Sequence, residues 1–264
     1  MKLYLAPMEG ITTFVYRNAL QHYYGGIDKY FTPFLCNKKL DYKDKNDVAP
    51  ENNDKLYIVP QVLTNQADTF LSIAGQLADR GYREVNLNLG CPSGTVTAKK
   101  RGAGFLAVPD LLDAFLEEIF DKCPLSISIK TRIGVESLEE WEALCRIYAK
   151  YPLKELIIHT RLQKEYYSGV THPIPFRFLC ATTAISFPLR HFPDWNRNCL
   201  RQESPLLRLC LAEGSSLIPR WRKSLSPPIF PVLPNPLTLQ RILWHTLARY
   251  RPSAPFTMRF WQVI

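Results

Sequence analysis

At 264 residues, 46% of them hydrophobic, the chain is long enough for one large α/β barrel, for which about 250 residues is typical, and can bury a sizeable core. It has no long uninterrupted apolar run, its N-terminal apolar stretch is too short for a signal peptide, and its seven scattered cysteines form no CxxC or CxxxxH pair, so a reducing cytoplasmic setting without membrane span, disulfide framework or zinc site is expected. The net charge of +9 is no footprint of the whole chain, because residues 1–173 balance 21 Lys+Arg against 21 Asp+Glu and residues 174–264 hold 12 against 3.

Lys2–Ala6 reads as a short strand running into Pro7-Met8-Glu9-Gly10. Thr13–Tyr24 reads as a helix stopped by Gly25-Gly26, and Lys29–Phe34 as a second strand. Asn37–Lys55 is polar and without period, which predicts a solvated loop. Leu56–Leu63 is a third strand carrying Gln61, followed by a helix over 66–80 with Phe70, Ala74 and Leu77 at helical spacing. In Val85–Leu89 apolar residues alternate with Asn86 and Asn88, and the strand stops at Gly90-Cys91-Pro92. The basic loop Lys99–Gly104 and a helix over 110–120 come next. Leu125–Lys130 is a fifth strand, Ser137 with Glu140 reads as a capping box, and Glu155–His159 is a sixth strand running into Thr160-Arg161.

Alternating strands and helices imply a parallel sheet. Met8, Gln61, Asn88 with Cys91, Lys130 and His159 each fall at the carboxyl end of a different strand. In a (β/α)₈ TIM barrel those ends share one face, where active sites are built, whereas an open doubly wound sheet gathers only some of them. No Gly-x-Gly-x-x-Gly follows a strand, so no Rossmann dinucleotide site is indicated. A lone cysteine is usually a small buried side chain, and a strand-end lysine or histidine is often structural. Suitable residues at five different strand ends point instead to a site. The types suit a flavin: Gln61 to meet the pyrimidine ring, Lys130 to stabilise negative charge on it, Arg132 and Arg161 to meet phosphate.

The stretch Asn86-Leu87-Asn88-Leu89-Gly90-Cys91-Pro92-Ser93 resembles the signature of the tRNA-dihydrouridine synthases. Ala6-Pro7-Met8-Glu9-Gly10-Ile11-Thr12, Arg17, Gln61, Lys130-Thr131-Arg132 and His159-Thr160-Arg161 match further motifs of that family, and the resemblance runs from Lys2 to about Gly169. It implies FMN held by Pro7, Met8, Glu9, Gln61, Lys130 and His159, NADPH as reductant, and tRNA as partner and substrate. Hydride would go to C6 of a uracil and Cys91 would protonate C5. An ordinary thiol, with a pKa near 8.5, is protonated at neutral pH yet able to give the proton up. Asn88, Lys99 and Arg101 are the candidate substrate contacts. Asn86 is a departure, standing where many members have Asp. Two other readings stay open: another FMN barrel of the dihydroorotate dehydrogenase type, and a non-catalytic RNA-binding protein using the basic C-terminal third.

Beyond Gly169 the sequence changes character. Residues 174–264 hold 12 of the 21 Pro, one of the 12 Gly and eleven Arg to one Lys, where two more strands and their helices are due. Pro227, Pro228, Pro231, Pro234 and Pro236 exclude helix or central strand. The expectation is a catalytic part over 1–173 and an aberrant tail over 174–264, without ordered continuation of the barrel, produced by a frameshift. Under one shift, codons for Thr182-Thr183-Ala184-Ile185 permit Asn-Gly-Asp, and those for Leu211-Ala212-Glu213-Gly214 permit Gly-Arg-Gly. The family carries Asn-Gly-Asp or Asn-Gly-Glu after its seventh strand and Gly-Arg, its phosphate clamp, after its eighth. On this reading the chain as written lacks the last two strands and the FMN phosphate site.

Overall fold

The structure, a computed structural model, describes residues 2–168, 171–172 and 208–211. Six parallel strands alternate with helices: β1 (Lys2–Leu5), α1 (Phe14–Tyr23), β2 (Lys29–Leu35), α2 (Tyr42–Asp47), β3 (Ile58–Val62), α3 (Ala67–Ala78), β4 (Glu84–Leu89), α4 (Gly94–Thr97), α5 (Pro109–Lys122), β5 (Ser126–Arg132), α6 (Glu140–Tyr148) and β6 (Glu155–His159). A seventh, β7 (Arg208–Leu211), pairs in parallel with β1, giving the order β6-β5-β4-β3-β2-β1-β7.

The sheet is curled, and buried side chains prove it. Lys29 on β2 reaches Glu155 on β6 at 2.8 Å. Those strands are four spacings apart, roughly 19 Å in a flat sheet at about 4.8 Å per strand. Tyr4 Oη on β1 donates to Glu155 Oε1 at 3.1 Å across one strand more. Only a concave face brings these groups together, so the element pattern is that of a partial (β/α)₈ barrel.

Strand periodicity sorts the side chains. Val85, Leu87 and Leu89 on β4 and Ile127 and Ile129 on β5 face outward and join one core with Phe70 and Leu77 of α3, Phe115 and Leu116 of α5 and Trp141 and Tyr148 of α6. The intervening Glu84, Asn86, Asn88, Ser128 and Glu155 are buried as well and carry the polar hydrogen bonds of the concave face.

Three expectations need correction. Asn37–Lys55 is not a plain solvated loop: it contains α2, opened by an Asp41–Asp44 capping box, and a 3₁₀ turn at Pro50–Asn52. What orders it lies outside the segment, since the guanidinium of Arg17, 0% exposed, donates to Asp47 O at 2.7 Å and Asn53 Oδ1 at 2.9 Å. Second, the Ser137–Glu140 capping box is half made: the Glu140 carboxylate accepts from Ser137 N–H as expected, and from Val135 and Glu136 as well, but α6 begins at Glu140 with Glu139 as its N-cap and no side-chain cap bond. Third, β7 lies inside the stretch for which no ordered continuation was expected. Arg-Leu-Cys-Leu is a short run free of Pro and Gly, able to extend the β1 edge. The rest of the expectations for 174–264, among them the Pro-rich 227–236 and, Leu211 apart, the shifted-frame motifs at 182–185 and 211–214, lie outside the described residues.

Candidate active site

A directed chain of amides runs through the carboxyl-end half of the concave face. It starts where Asn88 Oδ1 accepts the backbone N–H groups of Gly90, at 3.0 Å, and Cys91, at 2.9 Å. That fixes which end of Asn88 is oxygen, so its Nδ2 donates onward to Gln61 Oε1 at 2.8 Å. Gln61 Nε2 then donates to Asn86 Oδ1 at 2.7 Å, and Asn86 Nδ2 to Ser128 Oγ at 3.0 Å. Ser128 ends the chain on Val85 O at 3.4 Å. Gln61, Asn86 and Ser128 are fully buried and Asn88 nearly so. Each amide orientation is therefore dictated by its neighbour, beginning and ending at backbone groups.

The half-buried Cys91 sits two residues past β4 with its backbone held on both sides. Its N–H goes to Asn88, and its carbonyl accepts from Ala103 N at 3.0 Å. Gly102, at φ +55°, permits this approach: a Cβ there would stand 2.8 Å from Cys91 O. The carbonyl just before Cys91, Gly90 O, accepts from Arg132 Nε at 2.9 Å. Arg132 also donates to Leu162 O at 2.8 Å and Tyr166 O at 2.7 Å. Its guanidinium is thus occupied by three carbonyls, which corrects the expectation that it meets a phosphate.

His159, the last residue of β6, is buried, and Arg161 Nη1 lies 3.1 Å from its Nε2. A guanidinium only donates, so Nε2 accepts and the ring proton sits on Nδ1. Burial, followed by the cations Lys130, Arg132 and Arg161, pushes the imidazole pKa down to about 2, so the ring is neutral. The ring stacks on Tyr167, centroids 6.0 Å apart, and the Arg132 guanidinium lies 5.4 Å from the same tyrosine ring. Lys130, half-buried on β5, pairs in register with Asn88 of β4 and Ile157 of β6.

At the end of β1, Met8 N donates to Thr12 Oγ1 and Met8 O accepts from the same hydroxyl, closing a turn. Arg17 Nη1 holds that turn through Thr12 O at 2.6 Å. Pro7 is half-buried and Met8 exposed. Glu9 turns away, pairing with Lys43 at 3.0 Å on the rim of a cleft of about 160 Å³ also lined by Cys36, Asp44 and Asp47. Burial, then the Glu9 carboxylate, pushes the Cys36 thiol up to about 11. Lys99 is exposed, while Arg101 is tethered through Nε to Asn65 Oδ1 at 3.4 Å; Asn65 Nδ2 donates to Lys99 O.

The fold thus brings Gln61, Asn88 and Cys91 into one hydrogen-bonded unit, and Lys130 and His159 within electrostatic reach of each other. It does not bring the Glu9 carboxylate into that unit. Sequence reasoning missed Ser128, Asn65 and Tyr167. Ser128 was readable as the strand neighbour of Lys130 two residues back; Tyr167 had no local signal.

Convergent polar groups at the strand carboxyl ends of a (β/α)₈ barrel stand on the face where barrel enzymes build their sites. The sequence profile described as dihydrouridine synthase matches residues 4–175, and the chain belongs to that family. It is 27% identical over 166 residues to a probable tRNA-dihydrouridine synthase of Staphylococcus aureus (strain COL), a match covering 61% of this chain and 50% of the relative. Probable tRNA-dihydrouridine synthase 2 of Bacillus subtilis (strain 168) is 27% identical over 165 residues, with the same coverages. The matched stretch thus spans half the length of these relatives. Among the described residues no helix is long and apolar enough to cross a membrane, and no group of three or more His, Cys, Asp or Glu is placed to hold a metal ion.

Proposed function

We propose that residues 1–173 are the catalytic part of a tRNA-dihydrouridine synthase, an FMN-dependent oxidoreductase that reduces the C5–C6 bond of a uridine in tRNA. The observation that carries this reading is the amide chain, which fixes the Gln61 amide and the Cys91 backbone together. The donor set fits the pyrimidine end of a flavin. Gln61 Nε2 spends one of its two N–H groups on Asn86, leaving the second for a ring carbonyl or nitrogen. Lys130 supplies a cation for the N1–C2=O edge, and the neutral His159 a polar contact without added charge. Pro7 and Met8 lie at the β1 end of the same face. FMN, when bound and reduced by NADPH, supplies the hydride that uracil takes at C6. Cys91 gives its thiol proton to C5, which completes the addition of one hydride and one proton. Lys99, on an exposed turn, offers its ammonium to a tRNA phosphate, and Arg101 stands behind it on Asn65. The base has to leave its stack to reach this depth.

We further infer that codons beyond about 173 are read out of frame, so that the 264-residue chain lacks the FMN phosphate site and is inactive. The composition of residues 174–264, with 12 Pro, one Gly and eleven Arg to one Lys, and the two family motifs permitted in order under one shift support this. The nucleotide sequence around codons 170–180 tests the shift directly. In a frame-restored chain, Cys91→Ala should keep FMN and lose about 10²–10⁴ in uridine reduction, the range for a missing general acid. Undiminished turnover would return Cys91 to a packing role.

A further inference from the structure

Arg132 is fully buried, and each of its hydrogen bonds described above ends on a backbone carbonyl. Burying a guanidinium is expensive unless its donors are satisfied. Here one side chain satisfies carbonyls from two loops far apart in sequence, Gly90 after β4 and Leu162 and Tyr166 after β6. The peptide it holds at Gly90 is the one that leads into Cys91. Asn88 holds the N–H of that peptide's sulfur-bearing residue and Ala103 holds the next carbonyl, so Arg132 supplies the remaining anchor of the Cys91 backbone frame.

We propose that Arg132 is the positioning residue of Cys91, a bridge through which the placement of the thiol follows the loop Leu162–Tyr167. The role belongs to the shape of the guanidinium. A planar fork presents separate N–H groups to three carbonyls at once, whereas an ammonium on a flexible stem is a point donor. The loop at the far end carries Tyr166 and Tyr167, 51% and 59% exposed at the rim, with the Tyr167 ring over the guanidinium. A base or flavin pressing on those rings would act on Cys91 through Arg132. That catalytic meaning rests on the proposed proton transfer from Cys91; the bridge itself does not.

The test is amide hydrogen exchange on the 264-residue chain as wild type, Arg132→Lys and Arg132→Met. The amides of Cys91 and Ala103 and those of 162–167 should exchange together at least about tenfold faster in both variants, as loss of charge-assisted hydrogen bonds implies, while α3 amides keep their rates. Iodoacetamide labelling of Cys91, read on its peptide and normalised to Cys36, should rise in parallel. Rescue of both loops by Lys would overturn the proposal, because charge alone would then suffice; so would a response in one loop only. Should Arg132 variants fail to fold, Tyr167→Ala keeps the guanidinium and its three carbonyls and removes the ring that lies over it and stacks on His159. Faster labelling of Cys91 then supports the bridge, and an unchanged rate refutes it. None of these readouts uses uridine reduction. Coupled exchange together with a fully active Cys91→Ala in the frame-restored chain would keep the bridge and discard the proton donor.

Discussion

At the amino ends of the strands the concave face is closed by charges. Lys29 meets Glu84 at 3.0 Å and Glu155 at 2.8 Å, Lys154 meets Glu84 at 3.1 Å, and the hydroxyls of Tyr57 and Tyr4 donate to the two carboxylates. At the carboxyl ends the buried chain from Asn88 to Ser128 is neutral, and the cations Lys130, Arg132 and Arg161 stand around a neutral imidazole. Two Lys and two Glu cancel at the first end, a plug in which every charge has an opposite within reach. The second end is built instead on neutral amides and a neutral ring, a different chemistry at the face where barrel enzymes place their sites.

The largest expected effect tests the plug. Lys29→Met leaves Glu84 and Glu155 facing each other without their shared cation, and should cost about 3–5 kcal/mol in urea unfolding, the range for breaking a buried pair from one side. The cation also stacks over Tyr4, 5.1 Å from the ring centroid, and that contact goes with it. An unfolding midpoint equal to that of the wild type would show that the network holds nothing.

Gln61→Ala probes the opposite end and should cost less, about 1–3 kcal/mol, for leaving Asn86 Oδ1 and Asn88 Nδ2 without their partner. Its larger consequence should be on flavin. In the frame-restored protein both Gln61→Ala and Lys130→Ala should purify with less of the yellow colour, whereas the stability of Lys130→Ala should hold because its side chain is half-buried at the rim. Full flavin occupancy in both variants would remove these strand ends from the cofactor site and erase the contrast between the layers.

What was legible in the sequence follows the same division. Strands and helices announce themselves by local periodicity and glycine stops, and strand-end positions follow from the boundaries, so Gln61, Asn88, Cys91, Lys130 and His159 could be placed on one face. Partnerships across the barrel could not. Lys29 read as the first residue of a strand, and nothing near it in sequence names Glu84 or Glu155, 55 and 126 residues away. The order of residues 41–53 comes likewise from Arg17 on a distant helix. Arg132 was recognised as a site arginine but assigned to phosphate, because residue type says what a guanidinium can bind and only the fold says which carbonyls reach it first.

The smallest expected effect concerns pH, and it separates the two layers by window. Burial raises the Glu84 carboxyl, but Lys29 and Lys154 more than offset this, leaving its pKa below the ordinary 4.5. Such a group adds stability that is present above the unfolded value and lost as pH falls through the folded one, so the plug responds only in acid. His159 behaves differently. Its folded pKa of about 2 lies below the ordinary 6.5, so the native state excludes a proton that the unfolded chain takes up. Its contribution is complete above pH 6.5 and declines as pH falls, by about 1.4 kcal/mol between pH 7.5 and 5.5. Lys130, Arg132 and Arg161 are the charged groups that face the ring. His159→Gln keeps an acceptor for Arg161 and removes the titration. The difference in unfolding free energy between wild type and this variant should therefore shift by about 1.4 kcal/mol over those two pH units, with other histidines cancelling in the subtraction. A difference that stays flat from pH 7.5 to 5.5 would mean that His159 takes up its proton in the folded state, and that the carboxyl-end layer is open enough to solvate a charge.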